Sequence, residues 1–181
     1  MKKKILILVI LTLIAGSAGF YFSHSQRVLK IDGDAAVKQL LKIQFPDLNG
    51  TNQPISQWHG KILVINFWAP WCSPCVAEMS TLNKLSHEFQ DKNVQFIGIG
   101  IDSATNILNF LKKVRVDYPL LVAGYIGIDL ARTFGNTTSK LPFTAVIDIS
   151  NNLHTKKIGQ ISEDELRAIL NSLANAIDQA K

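Results

Sequence analysis

Cysteine is scarce in this chain: 181 residues hold only two, Cys72 and Cys75, within the stretch NFWAPWCSPCVAEM from Asn66 to Met79. That scarcity excludes several chemistries. A structural zinc site takes four ligands, commonly a second cysteine pair or closely spaced histidines. No third cysteine exists, and His24, His59, His87 and His154 stand singly. Zinc would have to gather those histidines from distant loops or borrow ligands from a second chain. Covalent haem attachment needs a histidine directly after the second cysteine, and that position is Val76. No cysteine lies near the chain start, which excludes a bacterial lipoprotein. A disulfide between residues i and i+3 closes a minimal loop and makes a poor structural staple. Two readings remain: inert cysteines packed as small hydrophobes, or thiol–disulfide exchange.

Charge is absent from Ile5 to Phe22, ILILVILTLIAGSAGFYF, directly after Met1 and the three lysines Lys2, Lys3 and Lys4. As a helix this run would span about 27 Å, close to the hydrocarbon thickness of a bilayer. A cleaved signal peptide has a similar layout, and Ala15, Ser17 and Ala18 could supply its small-residue site. The aromatics Phe20, Tyr21 and Phe22 at the end of the run favour an uncleaved anchor. Either way the basic start stays in the cytoplasm and the remainder is exported, to a compartment that permits disulfides. We therefore expect an anchor or signal segment at 1–22, a polar tether at 23–41 and a folded domain at 42–181. The expected location is the cytoplasmic membrane, with a single pass and the folded domain on the periplasmic or extracytoplasmic side.

A basic face for nucleic acid is also lacking. The formal net charge is +5, but the leading lysines account for most of it and leave about +2 for the exported part. Lys112, Lys113 and Arg115 read as solvated helix charges, and Lys156 and Lys157 flank a strand. No repeat or low-complexity tract appears, and the 47% hydrophobic content is that of a globular domain.

The remaining pattern is alternation of strands and helices. A weak helix at Ala35–Leu41 precedes a short strand and turns at Asn49-Gly50 and His59-Gly60, where His59 reads as a solvated turn residue. Ile62–Ala69 is a continuous apolar run suited to a central strand buried on both faces. After it, Val76, Met79, Leu82, Leu85 and Phe89 repeat at helical spacing. A second buried strand is expected at Val94–Asp102, a helix near Ala104–Val114, a short segment YPLLVA, and a helix near Ile126–Phe134. The strand Phe143–Ile149 and the segment HTKKIG follow. A closing helix runs from Glu163 to Ile177, with Ser162 and Glu165 as a capping box. This order implies an α/β sandwich with helices on both sheet faces.

The cysteines thus fall where a strand hands over to a helix. Only a thiolate attacks a disulfide, and unpaired N–H groups at a helix start favour the anion. Cys72 is there and is the expected nucleophile. Cys75, one turn further on, can resolve the mixed disulfide that Cys72 forms. Ser73 and Pro74 lie between them, and a first-turn proline loses no helical hydrogen bond.

The segment NFWAPWCSPC resembles the active-site stretch of thioredoxin-fold proteins. More narrowly, the block C-x-P-C-x-x-E behind an N-terminal anchor, the turn ISQWHGK and the downstream LPFTAVID resemble the TlpA/ResA-like exported thiol–disulfide oxidoreductases, from about Ile43 to the C-terminus. The resemblance implies a thioredoxin-like fold with a central mixed sheet and, at Ile101–Lys140, a mid-fold strand-helix insertion. It implies a cis bond at Pro142, after Leu141, shaping the substrate groove. Thioredoxins proper keep a buried aspartate where this chain has Asn66, so the resemblance assigns proton transfer to Glu78. It departs at Ser80, where the family often has a helix-kinking proline. Trp71 is expected to be exposed beside Cys72 and to contact the partner, and Trp68 to be core.

The resulting expectation is an anchored enzyme that reduces or exchanges disulfides in exported proteins. Cys72, Cys75 and Glu78 are catalytic, and Trp71, Ser73, Pro74, Leu141 and Pro142 bind substrate. No cofactor is expected beyond the redox-active cysteine pair, and no metal. The partners are substrate proteins, a membrane thiol-reductant donor, and the inner membrane through residues 5–22. Apocytochrome c, as in cytochrome c maturation, a copper-site protein and misoxidised proteins in general all fit as substrates. Two alternatives share the fold. A peroxiredoxin-like peroxidase needs a threonine upstream of a lone peroxidatic cysteine, and here Trp68–Trp71 fills that space. A copper-delivery module would want a downstream histidine, and only His154 is remotely suitable.

Overall fold

In the computed structural model, which describes residues 33–179, a helix α1 (33–40) leads into a short hairpin of β1 (Gln44–Pro46) and β2 (Asn52–Pro54) and a 3-10 turn at Ile55–Trp58. Then come β3 (Ile62–Trp68), α2 (Ser73–Glu88), β4 (Val94–Gly100) and α3 (Ala104–Leu111). After these the chain forms β5 (Leu120–Val122), α4 (Ile126–Thr133), β6 (Phe143–Ile147), β7 (Leu153–Ile158) and α5 (Glu163–Gln179). Five strands make one mixed sheet in the order β5-β4-β3-β6-β7. The β3, β4 and β5 pairings are parallel, whereas β6 runs antiparallel to both β3 and β7.

Every residue of β3 is buried, as its unbroken apolar run predicts. Alternation along the pleat sends Leu63, Ile65 and Phe67 to one face, where they pack with Ala36, Val37 and Leu40 of α1 and with Leu130 and Ala131 of α4. Ile62, Val64 and Trp68 point to the other face, with Met79, Leu82 and Leu85 of α2, Ile107 of α3 and Leu166 and Leu170 of α5. The result is a thioredoxin-like three-layer sandwich, with the segment between β4 and β6 adding α3, the edge strand β5 and α4.

Two expectations need correction. The tether does not extend to residue 41: α1 buries Ala36, Val37 and Leu40 in the same core as Phe45 and Phe67, so the folded unit includes residues from Gly33 onward. Ala36, Val37 and Leu40 share one face of this short helix, and burying that face makes the weakly patterned segment the start of the folded part. At α5, Ser162 caps the Glu165 amide at 3.2 Å, but the Glu165 carboxylate turns to Lys157 at 2.8 Å. Only half of the predicted capping box is therefore made. The anchor at 1–22 lies outside the described residues, and among those described no helix is long and apolar enough to cross a membrane.

Candidate active site

The site sits at the C-terminal end of β3, where the chain turns into α2. Cys72 is the N-cap of α2, in extended conformation, and its sulfur accepts the Cys75 amide at 3.3 Å. It therefore stands just outside the first helical turn in which the sequence placed it, still facing the helix's unpaired amides. Ser73 and Pro74 are the first two residues of the helix and both are exposed. Cys72 and Cys75 form a disulfide with Cα atoms 5.2 Å apart. Cys72 keeps 7% of its surface and Cys75 none. The cysteine expected to be the nucleophile is thus the more accessible of the two, although in the disulfide it too is buried.

Around Cys72 the surface is uneven. Trp71 projects outward, 64% exposed, while Trp68 is fully buried. The Leu141–Pro142 peptide bond is cis. Because β6 pairs Phe143 with Phe67, Pro142 lies one step beyond that pair, at the sheet end that carries Trp68 and Cys72. Leu141 is half-buried and packs against the cluster that contains both cysteines.

Below the disulfide lies a buried polar network. Glu78, one turn beyond Cys75, is only 3% exposed. Its Oε1 accepts from Asn66 Nδ2 at 2.8 Å, and its Oε2 accepts the Ile161 amide at 3.1 Å. The Asn66 amide also donates to Thr144 Oγ1 at 3.0 Å. Asn66 and Thr144 are register partners across β3 and β6, so their side chains emerge together on the α2 face. Burial raises the Glu78 carboxyl to about 7, and its two hydrogen bonds only partly oppose this. Tyr118, buried in the same cluster, is pushed above its ordinary range, first by burial and then by the charge of Glu78. Among the described residues, the Asn66 side-chain Oδ1, the Trp68 indole nitrogen and the Tyr118 hydroxyl are buried without a partner.

Sequence reasoning missed Thr144 and the loop after β7. In that loop the Gly159 amide bonds to the Pro142 carbonyl at 2.8 Å. Gln160 donates to the Pro74 carbonyl at 3.0 Å, and Ile161 reaches Glu78. The loop thus ties together the proline, the helix start and the acid. A hydroxyl at an inward position of the fully buried β6 was the available signal for Thr144. Nothing local marked the loop, whose contribution is mostly backbone. Helix α2 runs unbroken through Ser80, the position where the resembled family often has a kinking proline. Among the described residues no three His, Cys, Asp or Glu side chains gather to hold a metal ion.

Residues 33–173 match the sequence profile of the Redoxin family. The chain belongs to that family. Within it, this redoxin is 26% identical over 181 residues to the thiol–disulfide oxidoreductase ResA of Bacillus cereus, covering 96% of this chain and 99% of the relative. Over a shorter stretch of 89 residues, 49% of this chain and 46% of the relative, it is 30% identical to ResA of Oceanobacillus iheyensis. Among solved structures, MTB dsbF, in its mixed oxidized and reduced forms, superposes with a TM-score of 0.64 at 26% identity, covering 74% of this chain and 96% of that one. A secreted thiol-disulfide isomerase from Corynebacterium glutamicum superposes with a TM-score of 0.68 at 22% identity, over 75% of this chain and 85% of that one; this second likeness bears on the fold alone. The redoxin is a TlpA/ResA-like thiol–disulfide oxidoreductase of the thioredoxin fold, with a Cys72–Cys75 disulfide.

Proposed function

We propose that this redoxin is anchored in the cytoplasmic membrane through residues 5–22 and reduces or exchanges disulfides in exported proteins. The observation that carries the reading is the asymmetry of the cysteine pair: Cys72 caps α2 and keeps 7% of its surface, whereas Cys75 keeps none and sits one turn above the buried Glu78. In the reduced enzyme the Cys72 thiolate attacks a substrate disulfide, forming a mixed disulfide and expelling the substrate's other sulfur as a thiolate. The Cys75 thiolate then attacks Cys72, releasing the second substrate sulfur and closing the enzyme disulfide. Glu78, raised to about 7, can hold or release a proton near neutral pH, and in this reading it exchanges protons with Cys75. Trp71, Ser73, Pro74, Leu141 and Pro142 frame the sulfur that substrate must reach. A membrane thiol donor restores the dithiol. The apolar run at Ile5–Phe22 and the name of the ResA relatives support this reading.

The test is a Cys75→Ala chain expressed in its native membrane. Without the resolving thiol, mixed disulfides through Cys72 should accumulate and be identified after non-reducing separation, and washed membranes should retain the chain with its N-terminal residues intact. Trapping through a Cys72→Ala chain instead, or a soluble form beginning near Gly19, would refute the nucleophile and the anchor respectively.

A further inference from the structure

At the end of the sheet opposite Cys72, apolar side chains face water as a group. A pocket of about 380 Å³ opens there between the turn that joins β6 to β7 and the last turns of α5, and Ile62, Ile149, Leu173, Ala176 and Ile177 line it. Ile62 is fully buried, whereas Ile149 is 38% exposed. Because Ile62 opens β3 and Trp68 closes it, the pocket lies about 20 Å of strand away from the cysteine end. A second recess, of about 210 Å³, shares Ile177 with the pocket and is otherwise mostly polar, with Asp91, Lys92, Asn93, Asn171 and Asn175.

The turn explains why Ile149 stands out. The Asn151 amide donates to the Asp148 carbonyl at 3.0 Å, which closes a β-turn with Ile149 and Ser150 at its corners. Asp148 Oδ1 accepts the amides of Ser150 and Asn152 at 2.9 and 2.8 Å, and the Asn151 side-chain amide meets His59 Nε2 at 3.0 Å. The corner is thus fixed from both sides, and it carries isoleucine where polar residues are usual. The same turn marks where the chain enters the fold. Leu153 follows it directly, and a Cβ on Gly33 would lie 3.1 Å from Leu153 Cδ2. Ten residues, 23–32, separate Gly33 from the charge-free run that ends at Phe22, and ten residues reach at most about 35 Å.

We propose that this end of the domain docks on the lipid surface beside the anchor, with Ile149 and Ile177 entering the boundary between headgroups and acyl chains. The proposal rests on the anchor reading of residues 5–22. An apolar centre with a polar margin suits that boundary, and because the charges of Asp91 and Lys92 balance, zwitterionic lipid is enough. The patch is too small to hold a free protein on lipid. A ten-residue tether makes the contact intramolecular, however, and a weak contact is then populated. Docking this way sets Cys72 beyond the far end of β3, about 20 Å above the contact and facing away from the bilayer. The membrane thiol donor must then present its own thiols at that height rather than within the lipid.

The test uses the oxidised full-length chain, isotopically labelled at its isoleucine δ1 methyl groups, in nanodiscs of phosphatidylcholine with a nitroxide on a small share of the headgroups. Relative to nitroxide-free discs, the Ile149 and Ile177 signals should lose most of their intensity. Ile126 and Ile158 are 68% and 43% exposed toward the cysteine end of the sheet and should keep theirs. Ile149→Ser, which weakens the contact, should restore most of the Ile177 signal. Equal loss at all four methyls, no loss at any, or an Ile177 loss unmoved by the variant would overturn the docking, and co-elution of the chain with the discs would then leave the anchor standing. Shifts at Ile149 and Ile177 that grow with chain concentration, without nitroxide loss, would assign the pocket to a second copy and also overturn the proposal. A chain that separates from the discs on gel filtration would overturn the anchor and the docking together.

Discussion

Replacing Glu78 by glutamine should remove a defined share of the pH dependence of stability. The carboxyl has an ordinary value of 4.5 and in the fold is raised to about 7. At pH values below 4.5 folded and unfolded chains both hold this proton, and Glu78 contributes no slope. Between 4.5 and about 7 the unfolded chain has released it while the folded chain still binds it. Stability then falls by about 1.4 kcal/mol for each pH unit. Above that window both states are ionised, and the loss levels off at about 3 kcal/mol. Two donors, Asn66 Nδ2 and the Ile161 amide, converge on the carboxylate. Glutamine offers one acceptor oxygen, which can keep Ile161, while its own amide can donate to the Asn66 oxygen that now lacks a partner once the Asn66 amide turns over. Any resulting cost does not change with pH. Urea unfolding of the oxidised proteins from about pH 4 to about pH 8 should therefore show wild type losing about 3 kcal/mol relative to Glu78→Gln. Surface carboxylates such as Asp117 are common to both chains and cancel in the difference. Parallel profiles, within about 1 kcal/mol, would mean that Glu78 is not raised by burial and would remove the physical basis for its proton role.

The same variant, once reduced, should show a lower value for its more acidic thiol, because a nearby negative charge opposes thiolate formation. Its exchange rate should fall despite that, as read by thiol titration and disulfide turnover; unchanged values in both would make Glu78 purely structural. Alkylation of reduced wild type at mildly acidic pH should label Cys72 before Cys75, followed by peptide mass mapping. Gly98→Ala should destabilise by about 1–3 kcal/mol, because its Cβ would stand 2.5 Å from Leu120 Cδ2 and 3.1 Å from Trp68 Nε1; a thermal unfolding shift near zero would show that Leu120 can move aside. Thr144→Val should cost about 1–2 kcal/mol by leaving part of the Asn66 amide unpaired in the core, and denaturant midpoints would show whether the network shares that load.

Local pattern was enough to determine the elements that make their own signal. The uniform apolar run of β3 demands burial on both faces, and the helical spacing after Cys75 demands a helix, so the position of the cysteines at a strand-to-helix junction was legible from the chain alone. The exposed Trp71 and buried Trp68 also followed from the sequence, and the acid at position 78 was singled out there. What the sequence lacked was any measure of how deeply a polar side chain is buried and of contacts between distant segments. The approach of Asn66, Thr144 and Ile161 to Glu78 depends on the β3–β6 register and on the loop after β7, with partners as far as 83 residues apart. Burial at that junction, which the hydrogen bonds only partly oppose, raises an ordinary helix carboxyl to about 7. The membership of α1 in the core and the outward set of Ile149 have the same origin: three-dimensional packing decides which apolar side chains find a partner and which are left facing water.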